Sequence, residues 1–222
     1  MVRFFDIFFS GLALVLLSPF LVPIALLLRF TGEGEVFYVQ QRVGKNGTMF
    51  GLLKFATMLK DSPNMQMGTV TVKNDPRVLP MGGFLRKSKI NELPQLINIF
   101  LGDMSVIGPR PQTERCFLAF PETSQEAIKQ VKPGLSGIGS IVFRGEEDIL
   151  DDPNIDRLKF YDNVIAPYKG ELEQWYVKNQ NLYTYFMLIG LTVWVVLFSD
   201  SKVYQSIFKD LPETPAELKK WL

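Results

Sequence analysis

Histidine is absent from all 222 residues. That absence removes the Ser-His-Asp and Cys-His nucleophile systems and every His-ligated zinc site, so acid-base work falls to Asp, Glu, Lys, Arg or Tyr. Cysteine is almost absent as well. Cys116 stands alone, which rules out an internal disulfide and reads as a small buried apolar residue in reducing, cytoplasmic surroundings. Neither sign of charge is in excess: 24 Lys and Arg face 23 Asp and Glu, for a net charge of +1. There is no electrostatic reason here to expect a nucleic-acid partner. Internal repeats and low-complexity tracts are missing too. Apolar residues, by contrast, make up 47% of the chain beside 21% charged, a combination that suits a soluble-looking body joined to membrane segments.

Residues 7–28, IFFSGLALVLLSPFLVPIALLL, carry no charge, and about 20 apolar residues are enough to cross a bilayer core as a helix. No small-x-small cleavage site follows, because Arg29 leads directly into Thr31-Gly32-Glu33-Gly34, so a secretory signal fits poorly. Ser18-Pro19 and Pro23 predict a kink or break near Ser18. Arg3 and Arg29 flank the two ends and set little orientation. The segment reads either as a span or as a re-entrant hairpin with both ends on the cytoplasmic side.

After it, VFYVQQRVGKNGTMFGLLKF reads as two strands around an Asn46-Gly47 hairpin turn. Lys73-Asn74-Asp75-Pro76-Arg77 is a polar loop, and Gly82-Gly83 breaks the chain. Leu93, Leu96, Ile97 and Phe100 form one helical stripe that Gly102 stops. Pro94 is comfortable only in a first turn, which makes Asn91 the strain-free N-cap with Glu92 at N1; Ser88 as N-cap would kink the helix. Thr123 and Glu126 predict a capping box for a short helix to Val131, ended by Lys132-Pro133-Gly134. Residues 135–143 read as loop or strand, and residues 155–165 as a helix ending before Pro167. Residues 182–198 are a second, shorter apolar run, read as an interfacial or docked helix. Thr214-Pro215-Ala216-Glu217 opens a last amphipathic helix ending in Lys219-Lys220-Trp221.

Polar residues gather around Asn91: Arg86 and Lys87 before it, Glu92 beside it, Asp103 and Arg110 after it. A helix start among cations attracts phosphate, and a guanidinium offers phosphate a bidentate fork. By charge pattern alone, a solvated face beside a capped helix is the better account. The run LRKSKINELPQLINIFLGDMSVIGPRP over residues 85–111, however, is similar to the signature of the bacterial sugar transferases, the monotopic polyprenyl-phosphate phosphoglycosyl transferases. Further landmarks resemble that family in order: Ser18-Pro19, Gln41-Arg42-Val43-Gly44, Lys54-Phe55-Ala56-Thr57-Met58, Asp75-Pro76-Arg77, Lys132-Pro133-Gly134 with Gly137, and Tyr176-Val177-Lys178-Asn179.

The resemblance implies an α+β monotopic membrane protein. Residues 1–31 would form the re-entrant helix, 32–181 a small mixed catalytic domain on the cytoplasmic face of the bacterial inner membrane, and 182–222 interfacial C-terminal helices. It also implies transfer of a sugar 1-phosphate from a UDP-sugar to undecaprenyl phosphate with release of UMP, early in a surface-glycan pathway that includes downstream glycosyltransferases. In the family's ping-pong scheme a carboxylate attacks the β-phosphorus, while Mg2+, a hard cation suited to oxygen ligands, neutralises the diphosphate. Carried over by position, Asn91 and Glu92 are the catalytic and metal-binding pair, and Lys54, Arg86, Arg110 and Arg144 are phosphate or nucleotide contacts. Ala56 stands where relatives usually carry a basic residue, and Gly145-Glu146-Glu147-Asp148 after Arg144 departs from the commonest pattern.

The family's dyad is Asp-Glu before Leu-Pro-Gln, and here it reads Asn91-Glu92. An amide oxygen is uncharged and a poor nucleophile, yet it can coordinate Mg2+ or cap a helix. Three readings follow: a site that binds without turnover, a subgroup in which Glu92 is the nucleophile or the base, and deamidation of Asn91 to Asp.

Overall fold

The N-terminal apolar run forms one uninterrupted helix, α1 (Val2–Phe30); the expected break at Ser18 is not made. Pro19 has no N–H for the Val15 carbonyl four residues back, and the Ser18 hydroxyl donates to that carbonyl instead, at 2.8 Å. At the far end the Thr31 hydroxyl donates to the Leu27 carbonyl at 2.7 Å. The helix is roughly 44 Å long. It leaves Phe4, Phe8, Val15, Leu16, Phe20 and Leu26 exposed and buries Asp6, Ser10 and Leu28. A computed structural model describes residues 1–31, 33–62 and 76–222, so Lys73, Asn74 and Asp75 of the polar loop lie outside the described residues.

β1 (Phe37–Val43) and β2 (Met49–Phe55) pair as the expected hairpin. Asn46 and Gly47 both have positive φ, 59° and 74°, and Thr48 N–H donates to the Lys45 carbonyl at 3.2 Å. This is the type I′ geometry whose twist matches the strands. The glycine pair does not break the chain but begins α2 (Gly82–Lys87): a Cβ at Gly82 would stand 2.1 Å from the Thr57 carbonyl oxygen, so only glycine fits there. α3 (Gln95–Leu101) follows. Then come β3 (Ser105–Ile107), α4 (Glu114–Leu118), α5 (Glu122–Lys129) and β4 (Gly134–Ser136). β3 and β4 pair in parallel, Ser105 with Gly134 and Ile107 with Ser136.

The expected capping box is not formed. α5 starts two residues earlier, with Pro121 at its N-cap and no side-chain cap, and Thr123 lies inside it; Pro121, with its φ fixed near the value a helix entry needs, is the stronger start signal. The stretch read as loop or strand is split between β4 and α6 (Ile138–Val142), followed by α7 (Glu146–Leu150). The helix expected to stop before Pro167 continues past it. α8 (Arg157–Phe160) runs through a π-helical stretch, Tyr161–Ile165, into α9 (Ala166–Lys178). The π stretch absorbs the register change, and Pro167 falls in the first turn of α9, where its missing donor costs nothing. α10 (Leu182–Leu197) is capped by the Asn181 side chain, which accepts from Thr184 N–H. After α11 (Tyr204–Ile207), the expected last helix is a single 3-10 turn, Ala216–Leu218. Leu218 is fully buried and Lys220 pairs with Asp152 at 3.0 Å, so the C-terminus wedges into the body instead of extending along a surface.

The chain divides into two compact units: Met1–Asp6 with Arg42–Phe50 and Gly102–Leu222, and Ile7–Gln41 with Gly51–Leu101. In the first, α9 is the central helix, burying Leu172, Trp175 and Tyr176, and α10 adds Leu188 and Leu191. Its polar node is Asp6, whose Oδ1 accepts from the Ser105 hydroxyl, the Val106 N–H and the Tyr185 hydroxyl, each at 2.9 Å. In the second unit, Leu28 of α1, Phe55 of β2 and Leu85 of α2 form the core, lined by Leu21, Ile24, Val36, Met81 and Ile90.

Candidate active site

Residues 85–92 make a sharp reversal. α2 ends in Arg86 and Lys87, and the Ser88 hydroxyl caps it by donating to the Phe84 carbonyl at 2.8 Å. Lys89 then adopts the left-handed conformation, φ 60°, a strain on the order of 1 kcal/mol for a residue with a Cβ. The chain next enters a 3-10 turn, Ile90–Glu92. Asn91 and Glu92 therefore sit in this turn, not at an α-helix N-terminus. Neither Asn91 nor Ser88 is the N-cap of α3, which begins beyond Pro94; the reversal at Lys89 uses up the turn that the capping reading required.

The face of α3 also differs from the expected stripe. Leu96 and Ile99 are buried with Gln95 and Asn98, while Phe100 is exposed and lies against Gly11 of α1, where a Cβ would be 3.3 Å from its ring. Asn98 explains the rotation. Its Oδ1 accepts from Leu53 N–H and its Nδ2 donates to the Gly51 carbonyl, both at 2.9 Å. The side chain thus acts as a strand residue against β2 and sets α3 beside Lys54.

The result is a partly buried ion pair: Lys54 Nζ lies 3.6 Å from Glu92 Oε1, with side chains 18% and 17% exposed. In the same turn the Asn91 Oδ1 is buried with no hydrogen-bond partner among the described residues. A buried orphan acceptor costs about 1–3 kcal/mol, which a water or an ion at this atom would offset. Arg86 reaches the Met58 sulfur at 3.2 Å. Lys54, Arg86, Asn91 and Glu92 thus belong to one unit, with the first and last in direct contact. Ala56 contributes only to the core.

Arg110 belongs to the other unit and is seated by backbone bonds on all sides. Gly108 N–H donates to the Ser136 carbonyl at 2.9 Å, Gly134 N–H to the Pro109 carbonyl at 2.8 Å, and Val43 N–H to the Gln112 carbonyl at 3.0 Å. The Arg42 guanidinium donates to the Pro111 carbonyl at 3.1 Å, and the Tyr176 hydroxyl to the Ile107 carbonyl at 3.0 Å. Arg110's own N–H donates to the Glu173 carboxylate. Burial pushes the Glu173 carboxyl up to about 7, against the opposing pull of Lys169 and of that N–H. Arg144, in the same unit, stands exposed in the turn between α6 and α7, with no ion pair among the described residues. Cys116 is half-buried beside Tyr161, whose phenol burial holds above its ordinary value.

Among the described residues no cluster of three or more His, Cys, Asp or Glu exists to cage a metal. Magnesium does not need one: it commonly takes one or two protein oxygens and completes its shell with water and substrate phosphate. The Asn91 amide oxygen and the carboxylate of its chain neighbour Glu92 are oxygen donors of the kind that requirement names. Residue patterns missed Asn98, Glu173 and Asp6. The only sequence signal for the first was a polar residue inside an apolar helical run; for the others there was none.

A family model described as bacterial sugar transferase matches residues 1–199. The exopolysaccharide production protein ExoY of Rhizobium meliloti is 37% identical over 158 residues, covering 65% of this chain and 70% of that protein. The UDP-glucose:undecaprenyl-phosphate glucose-1-phosphate transferase of Escherichia coli is 39% identical over 153 residues, covering 66% of this chain and 32% of that protein. The undecaprenyl-phosphate galactose phosphotransferase of Salmonella typhimurium is 30% identical over 212 residues, covering 89% and 40%. The match therefore spans well under half the length of these two transferases.

Proposed function

This chain belongs to the bacterial sugar transferase family, and from that premise we propose that it transfers a sugar 1-phosphate from a UDP-sugar to undecaprenyl phosphate, releasing UMP. The observation that carries the assignment of roles is the Asn91-Glu92 turn: a carboxylate paired with Lys54, and a buried amide oxygen with no partner among the described residues. Glu92 is the nucleophile. Its oxygen forms a bond to the β-phosphorus as the bond to the UMP oxygen breaks, and UMP departs with the electron pair. A phosphate oxygen of undecaprenyl phosphate then attacks the same phosphorus and returns the carboxylate. Lys54 releases Glu92 to the phosphorus and keeps its own charge near the oxygens of the diphosphate. Asn91 and Glu92 would hold Mg2+, which supplies charge neutralisation of the diphosphate when bound. Arg86, Arg110 and Arg144 are the candidate phosphate and nucleotide contacts.

The exposed apolar side chains of α1 anchor the protein, and each end of that helix is fastened to folded chain, Asp6 to β3 and α10 at one end and Leu28 to Phe55 and Leu85 at the other. We read α1 as re-entrant, bending at Ser18-Pro19 and Pro23 without a break in its helical course, so that both ends lie at the cytoplasmic face of the inner membrane and the phosphate of the lipid carrier at headgroup level. Exposed Trp194, Val196, Leu197 and Phe198 on and after α10 suit the interfacial placement of the C-terminal part. The product is the substrate of glycosyltransferases acting on the same carrier.

The amide at position 91 favours one competing reading, a homologue that binds lipid phosphate or nucleotide sugar without turnover. Purified full-length protein with Mg2+, undecaprenyl phosphate and a panel of UDP-sugars separates the two. Robust UMP release that Glu92→Gln abolishes is the expected result, with a phosphosugar-protein adduct trapped when the lipid acceptor is withheld. Release that survives Glu92→Gln would sink the assignment of Glu92; release seen only after Asn91→Asp would favour the binding protein.

A further inference from the structure

Pro109-Arg110-Pro111 is a segment with a single backbone donor, because neither proline has an N–H. That one donor is given to Glu173, a carboxylate 2% exposed. One helical turn further along α9, Tyr176 donates to the Ile107 carbonyl. Two side chains on one face of α9 therefore hold residues 107–110, one by taking a backbone hydrogen and one by giving a hydroxyl hydrogen to a carbonyl. Glu173 has no other evident duty. Its neighbour Lys169 is committed to Glu146, and Glu173 Oε2 is buried with no hydrogen-bond partner among the described residues. A buried carboxylate left half-satisfied is costly, and a leucine would fill the same space more cheaply. The carboxylate is also given room: a Cβ on Gly139 would stand 2.3 Å from Glu173 Oε1.

We infer that Glu173 is a positioning residue, which fixes the Arg110 peptide from α9 so that the guanidinium is presented to a phosphate in one direction. This rests on the reading of Arg110 as a phosphate contact. Gly134 N–H holds the Pro109 carbonyl of this peptide and Glu173 takes its N–H, so losing Glu173 frees one of its two polar groups and loosens the side chain that follows. Displacements of about 1 Å at a substrate-positioning group cost up to about a hundredfold in rate.

The test is a kinetic cycle on the full-length protein in detergent, with UDP-sugar as the varied substrate. Arg110→Ala and Glu173→Ala each raise KM, and the double variant is no worse than Arg110→Ala alone, because the two act through one group. Glu173→Gln keeps an acceptor oxygen of the same size in the same place, so although a bond to a neutral acceptor is roughly half as strong, the peptide stays oriented and KM stays within about threefold of the parent. Gly139→Ala, which crowds the carboxylate without removing it, shifts KM in the same direction as Glu173→Ala and supplies the test if that variant fails to fold. Full additivity of Arg110→Ala with Glu173→Ala or Gly139→Ala overturns the inference, as does a Gln variant as impaired as the Ala variant. If Arg110→Ala has no effect on KM, the phosphate role of Arg110 falls, and this inference with it.

Discussion

Burying Glu173 makes the protein's stability depend on pH in a direction opposite to that of an ordinary ion-paired carboxylate. Its carboxyl is pushed from an ordinary 4.5 up to about 7, chiefly by burial. Between those values the folded protein keeps a proton that the unfolded chain has already lost, so stability falls as pH rises from 4.5 to 7 and stays lower above that. At 1.36 kcal/mol per pH unit, the full penalty is about 3 kcal/mol. Glu173→Gln has no charge to desolvate. Relative to the parent it should gain about 3 kcal/mol between pH 4.5 and pH 8, on the order of 10 °C in Tm for a chain of this size. Parent and variant melted side by side in the same detergent at both pH values provide the measurement. A stability gap that is the same at pH 4.5 and pH 8 would refute the claim that Glu173 is charged and poorly solvated in the folded protein.

Three further outcomes follow from hydrogen bonds described above. Asn98→Leu leaves Leu53 N–H and the Gly51 carbonyl without partners, a loss of about 2 kcal/mol or more read as a lower denaturant midpoint. Because β2 carries Lys54, UMP release should fall too. Asp6→Ala strands three donors and costs about 3 kcal/mol or more, again by midpoint at unchanged slope. Ser18→Ala uncovers the Val15 carbonyl inside an apolar segment and lowers Tm by the equivalent of about 1–2 kcal/mol, while Ser18→Thr, which keeps the hydroxyl, does not.

Where a feature is written in neighbouring residues, it was legible. The Asn46-Gly47 turn, the apolar helices α1 and α10 and the stop at Lys132-Pro133-Gly134 follow from local chemistry. The family motifs singled out Asn91, Glu92, Lys54 and Arg110, and of these Lys54 and Glu92 meet as an ion pair. Local reading failed where one signal outranked another: Ser18 repairs the carbonyl that Pro19 orphans, Pro121 begins a helix before Thr123 can cap it, and a π stretch carries α8 past Pro167. It failed differently at Asn91, where an unannounced left-handed Lys89 redirects the chain and replaces the expected cap with a 3-10 turn. The supports of the site were invisible for another reason. Asn98 meets residues 45 and 47 positions away and Glu173 serves a peptide 63 positions earlier. Spacing within a helix or strand carries no information at that range.

Asp6 meets its farthest partner, Tyr185, across 179 residues of chain. At roughly 5–20 residues per second of synthesis, the first turn of α1 waits about 10–40 seconds on the ribosome before that hydroxyl exists. Its partners at Ser105 and Val106 arrive earlier, so the polar node at the start of α1 is assembled in two stages, and its last bond closes only when α10 has been made.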